Sequence, residues 1–398
     1  MKSVEEILKK HAEWGAIATI FHTLEQKGHL AYLAGGCVRD ALLGVTAHDL
    51  DIATDATPEQ IESYFDKVVS VGKSFGVMRV LVDGQDIEVA TFRTDGQYKD
   101  GRRPDAIHFS SPEKDAQRRD FTVNALFYDL KSQQILDFVG GIPDLQSRIL
   151  KTVGQAERRF AEDHLRLLRG ARFVGQLGFK LDPETFAAIK KESKLIRSVS
   201  GERVRDEMGK LLRSTEVNDG LEVMWQSGLM DELFPAQKKS VFPGGRTQEL
   251  WQNLALLFRD LGKEDLLRNM MFLRLSVKEQ KNIEEFWKVW QAPTTFLDKR
   301  KGERLQLFQH EGVRWALRMI VLDQAAFAVK AQTAIDEAYQ QGVLPEPLLK
   351  GNDLKGKLSG PDMGKCLSEA YIQQLEKSWT SHAEALLWLQ EYLQKGSS

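Results

Sequence analysis

The feature that most constrains the fold is a change of periodicity near residue 144. Before this point, short β-branched runs separated by Gly and Asp predict strands over 68–71, 77–82 and 87–92. After it, apolar residues recur at helical spacing and the alternating pattern nearly disappears. The sequence therefore predicts an α+β protein, with a small α/β head containing a mostly antiparallel or mixed sheet, followed by an all-helical remainder.

Helical spacing also places individual elements. In the head it predicts one helix over 3–28, packed through Ile7, Ala12, Ile17, Ile20, Phe21 and Leu24 and ending at Gly28. In the remainder it predicts helices over 156–177, 183–192, 203–213, 216–227, 246–261, 276–290, 303–311, 313–341, 363–373 and 380–395. Residues 93–107 have turn formers and charges without periodicity, so we expect a mobile loop with Arg102 and Arg103 near its end.

Composition places the chain among ordinary globular proteins. Its 398 residues are 42% hydrophobic, which is typical of two or three domains with buried cores. The net charge of -2 conceals basic residues clustered over 148–172, so any nucleic acid would bind a patch. Cys37 and Cys366 have neither disulfide-framework nor metal-ligand spacing, and no apolar stretch is long enough for a bilayer. We therefore expect a cytoplasmic protein with no membrane association and no obligate protein partner.

The stretch from Leu33 to Thr54 contains the first candidate site. A small apolar run stops at Gly35 and Gly36, where backbone can approach a ligand without a Cβ in the way. Val38 and Leu42 then follow at helical spacing, so a helix should begin at the glycines. Its first N–H groups and its dipole would face the ligand, with Arg39 beside them. The pattern predicts an anion site, most simply for a phosphate.

Asp49 and Asp51 alternate with apolar residues just downstream. On a strand, both carboxylates would lie on one face, roughly 7 Å apart, where they could share divalent cations. Aspartates at this spacing are common on exposed edge strands, but beside an anion site they suit metal-assisted phosphoryl transfer. Glu88 on a nearby strand is a possible third carboxylate. A P-loop or Rossmann nucleotide site is excluded, because neither GxxxxGK[ST] nor GxGxxG is present.

A second informative stretch, EDHLRLLRGAR, covers 162–172. Its simplest interpretation is an amphipathic helix with ion pairs three residues apart. At about 100° per residue, Asp163, Arg166 and Arg169 would fan over one side, while Arg172 would lie opposite Asp163. A carboxylate accepting from an exocyclic amine, beside a guanidinium donating to a ring nitrogen, would form a template for a base edge. Cytosine and adenine offer that edge, whereas uracil and guanine do not.

Several motifs in this chain together resemble one family. They are GGCVRDALLG with DLD, then DGRRPDAIHF, RRDFTVNAL, and EDHLRLLRGARF followed by QLGF. In this order they resemble the class II tRNA nucleotidyltransferases, or CCA-adding enzymes, and the related bacterial poly(A) polymerases. The resemblance covers about half of the chain, and GNDLKGKLSGPDMGKCL near the C-terminus is similar to the tail of CCA-adding enzymes.

The resemblance implies a division of the chain and a set of site residues. The parts would be a catalytic head (1–143), a base-recognising neck (144–213), a helical body (214–320) and a tRNA-binding tail (321–398). Asp49 and Asp51 would be catalytic and bind Mg²⁺. The nucleotide would be contacted by Gly36, Arg39 and Arg119 and by the neck residues Asp163, Arg166, Arg169 and Arg172. The 93–103 segment would correspond to the family's flexible loop, which helps to switch from CTP to ATP.

The implied activity is template-independent addition of C and A residues of the CCA end to the tRNA 3′ terminus. The substrates would be CTP and ATP, and pyrophosphate would leave. An enzyme that adds only A and a poly(A) polymerase remain alternatives, although EDHLR differs from the EDP type of neck found in poly(A) polymerases. From another class, a non-catalytic RNA-binding protein of the same fold is disfavoured by the intact Asp49 and Asp51.

Overall fold

The structure, a computed structural model, describes residues 4–98, 101–102, 104–242 and 247–395. The chain divides into two units, Met1–Phe242 and Pro243–Ser398. The first combines a seven-stranded sheet with helices, and the described residues of the second are helical outside their loops. The predicted α+β class is therefore confirmed. The finer division into head, neck, body and tail stays a prediction.

The sheet of the first unit is mixed. The strands among the described residues are β1 (Ala31–Ala34), β2 (Ile52–Thr54), β3 (Val68–Gly72), β4 (Val77–Val82), β5 (Gln85–Thr91), β6 (Arg93–Asp95), β7 (Ile107–Phe109), β8 (Leu126–Asp129), β9 (Gln134–Asp137), β10 (Ile149–Leu150) and β11 (Lys180–Leu181). The main sheet has the order β3-β4-β5-β2-β1-β8-β9. Only β2 and β5 run parallel in it, and its other neighbours are antiparallel. The three strands predicted from β-branched runs are confirmed to within two residues.

The helices of the first unit pack around this sheet and extend beyond it. They are α1 (Val4–Leu8), α2 (Trp14–Gln26), α3 (Gly36–Leu42), α4 (Pro58–Tyr64), α5 (Pro112–Gln117), α6 (Gly141–Ser147), α7 (Ala156–Glu162), α8 (Leu165–Leu177), α9 (Pro183–Glu192), α10 (Gly201–Leu212), α11 (Val217–Ser227) and α12 (Leu229–Leu233). One hydrophobic core joins Leu33, Val38 and Ile52 to Phe173 and Phe179. The core is thus continuous from the sheet to α8.

The single helix expected over 3–28 is wrong, because the chain leaves the helical path between α1 and α2. Ile7 and Leu8 are buried in the core, as is Ile17, but Ala12 in the intervening turn is exposed. A helix continued through the turn would have carried Ala12 onto the buried face. The end of the helix is as predicted, since Gly28 has a positive φ of 83° and its N–H donates to Glu25 O at 2.9 Å.

The helix expected over 156–177 is also two helices. Asp163 is extended, with φ −136° and ψ 106°, and it separates α7 from α8. Its Oδ1 accepts a hydrogen bond from Leu165 N at 3.1 Å. Short polar side chains that bond to nearby backbone compete with the helix in this way. The angular argument that placed Asp163 on the same helix as Arg166 and opposite Arg172 is therefore wrong.

The 93–107 segment is more ordered at its base than the sequence indicated. Strands β6 and β7 pair antiparallel, with Arg93 opposite Phe109 and Asp95 opposite Ile107. Tyr98 donates from its hydroxyl to Asp95 Oδ2 at 2.6 Å. The polar sequence of β6 has no apolar alternation to signal a strand. Arg103 lies outside the described residues.

The expectation of a purely helical region after residue 144 is wrong in one detail. Strands β10 and β11 form a short parallel pair, with Ile149 opposite Lys180 and Leu150 opposite Leu181. Two residues per strand are too few to give a period-two pattern in the sequence.

The second unit consists of ten helices among its described residues. They are α13 (Leu250–Leu257), α14 (Lys263–Phe272), α15 (Val277–Gln291), α16 (Pro293–Leu297), α17 (Lys301–Phe308), α18 (Glu311–Asp323), α19 (Ala325–Gln341), α20 (Gly351–Leu354), α21 (Gly360–Lys377) and α22 (His382–Lys395). The helix expected over 313–341 is wrong as a single element, because Gln324 leaves helical geometry with ψ 77°. Helices α14, α16 and α20 were not predicted. No helix in the described parts of the chain is long and apolar enough to cross a bilayer.

Candidate active site

The glycine pair forms the turn between β1 and α3. Gly35 has φ 80°, a conformation that other residues rarely adopt, and α3 begins at Gly36. A Cβ on Gly35 would lie 2.9 Å from Arg119 Nη1. The predicted helix start is confirmed, and the open N–H groups of the first turn face outward from the helix end.

Asp49 and Asp51 lie next to this turn but not within a strand, because β2 begins only at Ile52. The predicted alternation still holds, since Asp49 is exposed and Leu50 is 2% exposed. Ala34, the last residue of β1, donates from its N–H to Asp51 O at 3.0 Å. The two aspartates therefore adjoin the end of β1, where the chain enters the glycine turn.

Crowded negative charge marks the position of Asp51. Burial, followed by the charges of Glu88 and Asp49, raises the pKa of Asp51 to about 7, although Arg119 acts in the opposite direction. Burial also raises the pKa of Glu88, and Asp49 adds to that effect against Arg79. Because β2 and β5 run parallel with Ile52 opposite Val89, Asp51 and Glu88 immediately precede a paired position. Glu88 therefore belongs to this carboxylate cluster.

The cluster fits a small divalent cation that is shared with a substrate. The neighbouring carboxylates that help to raise the pKa of Asp51 carry negative charge, and a bound cation would offset that charge. Within the residues described, no group of three or more His, Cys, Asp or Glu side chains is arranged to enclose a metal ion. Two carboxylates with substrate phosphate oxygens completing the shell are a common arrangement for small, hard cations.

Arg39 is placed on α3 as predicted, but it is only 3% exposed. Its Nη1 donates to Asn124 Oδ1 at 2.5 Å, and its Nε donates to Asp40 Oδ1 at 2.8 Å. The guanidinium also lies over the ring of Phe173, 5.4 Å from its centroid. These contacts tie α3 to α8, and a direct nucleotide contact by Arg39 stays a prediction.

Arg119 is the arginine that lies closest to the glycine turn. Its Nε donates to Asp115 Oδ2 at 3.0 Å and its Nη1 donates to Asn124 O at 3.3 Å. Burial acts to raise the pKa of Asp115, but Arg119 and Arg118 outweigh it and hold that pKa below its usual value. About a fifth of the Arg119 side chain is exposed. The structure thus brings Arg119, the glycines and the two aspartates together.

Asp163 and Arg166 are adjacent at the break between α7 and α8, but they pair with other residues. Arg203 Nη2 donates to both carboxylate oxygens of Asp163, at 2.8 and 3.1 Å. Arg166 is buried, and it donates to Glu162 Oε2 at 2.8 Å and to Arg118 O at 2.9 Å. Arg203 and Glu162 were not among the predicted site residues.

Arg169 and Arg172 both reach acids that the sequence did not single out. Arg169 Nε donates to Asp120 Oδ2 at 2.7 Å, and Arg172 Nε donates to Glu207 Oε2 at 2.9 Å. Burial acts to raise the pKa of Asp120, but Arg169 and then Arg166 hold it well below its usual range. Burial lowers the pKa of Arg172 to about 10, against the attraction of Glu207. Arg169 is partly exposed and Arg172 is buried, and with their acids they form a network of alternating charges.

Phe173 lies at the centre of that network. The guanidinium of Arg172 is 3.4 Å from its ring centroid and that of Arg169 is 5.2 Å away. Arg39 approaches the same ring, so three cations surround one aromatic side chain. Arg169 and Arg172 lie on the same helix as Phe173, whereas Arg39 is far from it in the chain, so helical periodicity could not reveal the Arg39 contact.

The loop between β6 and β7 reaches the break at Asp163. His164 donates from its backbone N–H to Gly101 O at 3.0 Å. Gly101 has a positive φ of 66°, and a Cβ at this position would overlap the His164 ring. The loop therefore contacts the break between α7 and α8 beside the predicted base-reading residues.

Comparison with known proteins places this site in a family. Residues 31–151 match the family model described as the poly A polymerase head domain. Residues 178–240 match the one described as the probable RNA and SrmB-binding site of polymerase A. The first match contains the glycine turn, both aspartates and Arg119.

Matches over longer stretches identify the family more closely. A CCA-adding enzyme of Bacillus pumilus is 41% identical over 279 residues, covering 70% of this chain and 67% of the relative. One of Streptococcus mutans is 32% identical over 380 residues, covering 90% and 92%. The crystal structure of the Bacillus stearothermophilus CCA-adding enzyme in complex with CTP superposes with a TM-score of 0.79 at 29% identity, covering 97% of this chain and 99% of that one. The chain belongs to the CCA-adding enzyme family of tRNA nucleotidyltransferases.

Proposed function

We propose that this chain adds the C and A residues of the CCA end to the tRNA 3′ terminus, using CTP and ATP and releasing pyrophosphate. The observation that carries the proposal is the contact between two sites. Arg119 lies beside the glycine turn and the acids around Asp51. The preceding residue, Arg118, accepts a hydrogen bond through its carbonyl from Arg166 of the predicted neck. The similar Bacillus stearothermophilus CCA-adding enzyme, which was solved in complex with CTP, supports CTP as a substrate.

Asp49 and Asp51 would hold Mg²⁺, with Glu88 as a supporting acid. The surroundings of Asp51 support this assignment, because burial and then the charges of Glu88 and Asp49 raise its pKa, and a bound cation would offset those charges. When bound, the metal supplies charge stabilisation for a displacement in which the tRNA 3′-hydroxyl attacks the α-phosphate and pyrophosphate leaves. Asp49, as the more exposed carboxylate, would face the incoming hydroxyl.

The glycine turn and Arg119 would bind the phosphates. Gly36 contributes a backbone N–H at the start of α3, and Gly35 allows the phosphates to approach without a Cβ. Arg119 lies above the turn with part of its guanidinium exposed. Arg39, which is buried, would act mainly by holding α3 against the ring of Phe173.

Asp163 and Arg166 would read the base edge, with Asp163 accepting from the exocyclic amine of cytosine or adenine. Arg166 would use a donor now directed to Glu162 or to the Arg118 carbonyl. Arg169 and Arg172 would hold the neck in place through Asp120 and Glu207. Asp163 and Arg166 would thus be supported by two arginines whose charges are matched by Asp120 and Glu207.

The RNA partner would be tRNA, held by the helical body and tail through shape and phosphate contacts. We place the enzyme in the cytoplasm, where tRNA is processed and where two unpaired, buried cysteines are stable.

The proposal is tested with three tRNA substrates, ending at the discriminator base, at C or at CC. Each is incubated with the purified protein and one labelled nucleotide at a time, and the products are separated at single-nucleotide resolution. We expect C on the first two and A on the third. Addition only to the CC-ended tRNA would favour the A-adding alternative. Long A tracts on arbitrary RNA would favour a poly(A) polymerase, and no incorporation would favour a non-catalytic RNA-binding protein.

A further inference from the structure

The backbone segment that carries Asp49 is held by side chains instead of a sheet. In the described part of the chain, residues 46–50 form no hydrogen bond to another backbone group. Strand β2, which starts two residues after Leu50, pairs with β1 only from Ile52 onward. Backbone groups of a catalytic segment need partners to keep a fixed position. Here the partners are side chains from the N-terminal region.

Those partners lie in the turn between α1 and α2. Glu13 Oε2 accepts a hydrogen bond from Leu50 N at 3.2 Å. His11 Nε2 lies 3.2 Å from His48 O, and Glu13 N donates to His11 Nδ1 at 3.3 Å. Because Nδ1 accepts, Nε2 carries the proton in a neutral ring and donates to the His48 carbonyl. The two side chains therefore bracket Asp49, one residue away on each side.

The turn itself is well anchored. Ile7 and Leu8 of α1 and Ile17 of α2 are buried in the main core on either side of it. The side chains of His11 and Glu13 are only 11% and 21% exposed. Because the helices on both sides of the turn are packed in the core, His11 and Glu13 can hold the 48–50 backbone in a fixed position.

We infer that Glu13, assisted by His11, is a positioning residue for catalysis. It fixes the backbone of 48–50 so that the Asp49 and Asp51 carboxylates are presented together beside the glycine turn. The inference rests on the proposed roles of the two aspartates. It adds a function to the break between α1 and α2, which would otherwise be only an interrupted helix. Glu13 acts through its oxygen as a hydrogen-bond acceptor, and its negative charge is not required.

The test separates the hydrogen bond from the charge. Glu13→Ala should lower kcat roughly tenfold while changing KM for CTP by less than about threefold, because a small displacement of catalytic groups affects the chemical step. Glu13→Gln keeps an acceptor oxygen and should restore kcat to within about threefold of wild type. Lys9→Ala is the matched control, since it removes a surface ion pair with Glu5 from the same segment and should leave turnover unchanged.

Three results would overturn the inference. The first is Glu13→Ala with wild-type kcat, and the second is Glu13→Gln as impaired as Glu13→Ala, which would make the charge essential. The third is a uniform rise in KM with unchanged kcat. Should Glu13→Ala not fold, as judged by circular dichroism, His11→Ala replaces it with the same expected fall in kcat. Wild-type protein and Asp49→Ala, assayed in parallel, distinguish the two proposals, because no incorporation by the wild type would refute the proposed function, whereas full activity in Asp49→Ala would refute the metal assignment.

Discussion

The acids around Asp51 and the arginines of α8 differ in how their charges are matched. Burial, and then the charges of Glu88 and Asp49, raise the pKa of Asp51 to about 7. In the neck, Arg169 and Arg172 are matched by Asp120 and Glu207. The acids around Asp51 therefore carry negative charge that a bound cation would offset, whereas the arginines of α8 are already matched by acids of the protein, Asp120 before the predicted neck and Glu207 within it. Substitutions in the head should affect catalysis, and substitutions in the neck should affect stability or selectivity.

The strongest test of this contrast is Asp49→Ala. Removing an exposed acid from an overcrowded cluster should relieve repulsion, so the fold should remain intact. Nucleotide incorporation should fall on the order of 10³-fold or more, because several kcal/mol of charge stabilisation would be lost. Single-turnover incorporation and thermal denaturation measure the two effects, and retained turnover would refute the metal assignment.

Glu207→Ala should show the opposite behaviour. It would leave Arg172 buried without its carboxylate, which costs about 3–5 kcal/mol of unfolding free energy for a buried pair. Urea denaturation measures the loss. Glu222→Ala, which breaks an exposed pair with Lys239 in the same unit, is the control and should leave the midpoint unchanged. Equal midpoints for both variants would contradict the claim that the neck network is structural.

Asp163→Ala tests whether the neck also carries specificity. Loss of the carboxylate should weaken discrimination against UTP and GTP by roughly 10- to 100-fold, because the base edge loses a hydrogen-bond partner. Competition assays with mixed nucleotides measure the ratio of kcat/KM values. Arg203→Ala is a useful companion, since it frees Asp163 from its present partner without removing the carboxylate. Unchanged selectivity in Asp163→Ala would refute the base-reading role.

The smallest effect is expected from two glycine variants at positions with similar φ angles. Gly35→Ala and Gly28→Ala both place a side chain at a φ near 80°, which costs about 1–3 kcal/mol for such a conformation. At Gly28 the new Cβ would meet nothing within 4 Å, whereas at Gly35 it would lie 2.9 Å from Arg119 Nη1. Only Gly35→Ala should raise KM for the nucleotide. A similar KM in both variants would contradict the proposal that Arg119 binds the phosphates.

The head could be predicted from the sequence better than the neck. The glycine turn, the start of α3 and the spacing of Asp49 and Asp51 are local features, and local periodicity is sufficient to place them. The neck depends on partners such as Arg203 and Glu207, which are about 35 to 40 residues away along the chain. No local pattern encodes such pairings.

Three of the predicted helices are interrupted in the structure, and the three breaks share one feature. The breaks after α1, at Asp163 and at Gln324 contain no proline or glycine. The apolar spacing continues across each of them, so a periodic pattern predicts one helix. At Asp163 the break is caused by a side chain that bonds to Leu165 N. Two of the three breaks lie beside the candidate active site, where local rules are often violated for function.

The core shared by the sheet and α8 has a consequence for unfolding. Because Leu33 and Val38 belong to the same apolar cluster as Phe173 and Phe179, separating the chain near residue 143 would expose both halves of that cluster to water. The catalytic sheet and the first neck helices should therefore open together as one cooperative element in hydrogen exchange. The proposed catalytic aspartates and the proposed base-reading residues would then become ordered or disordered in the same unfolding transition.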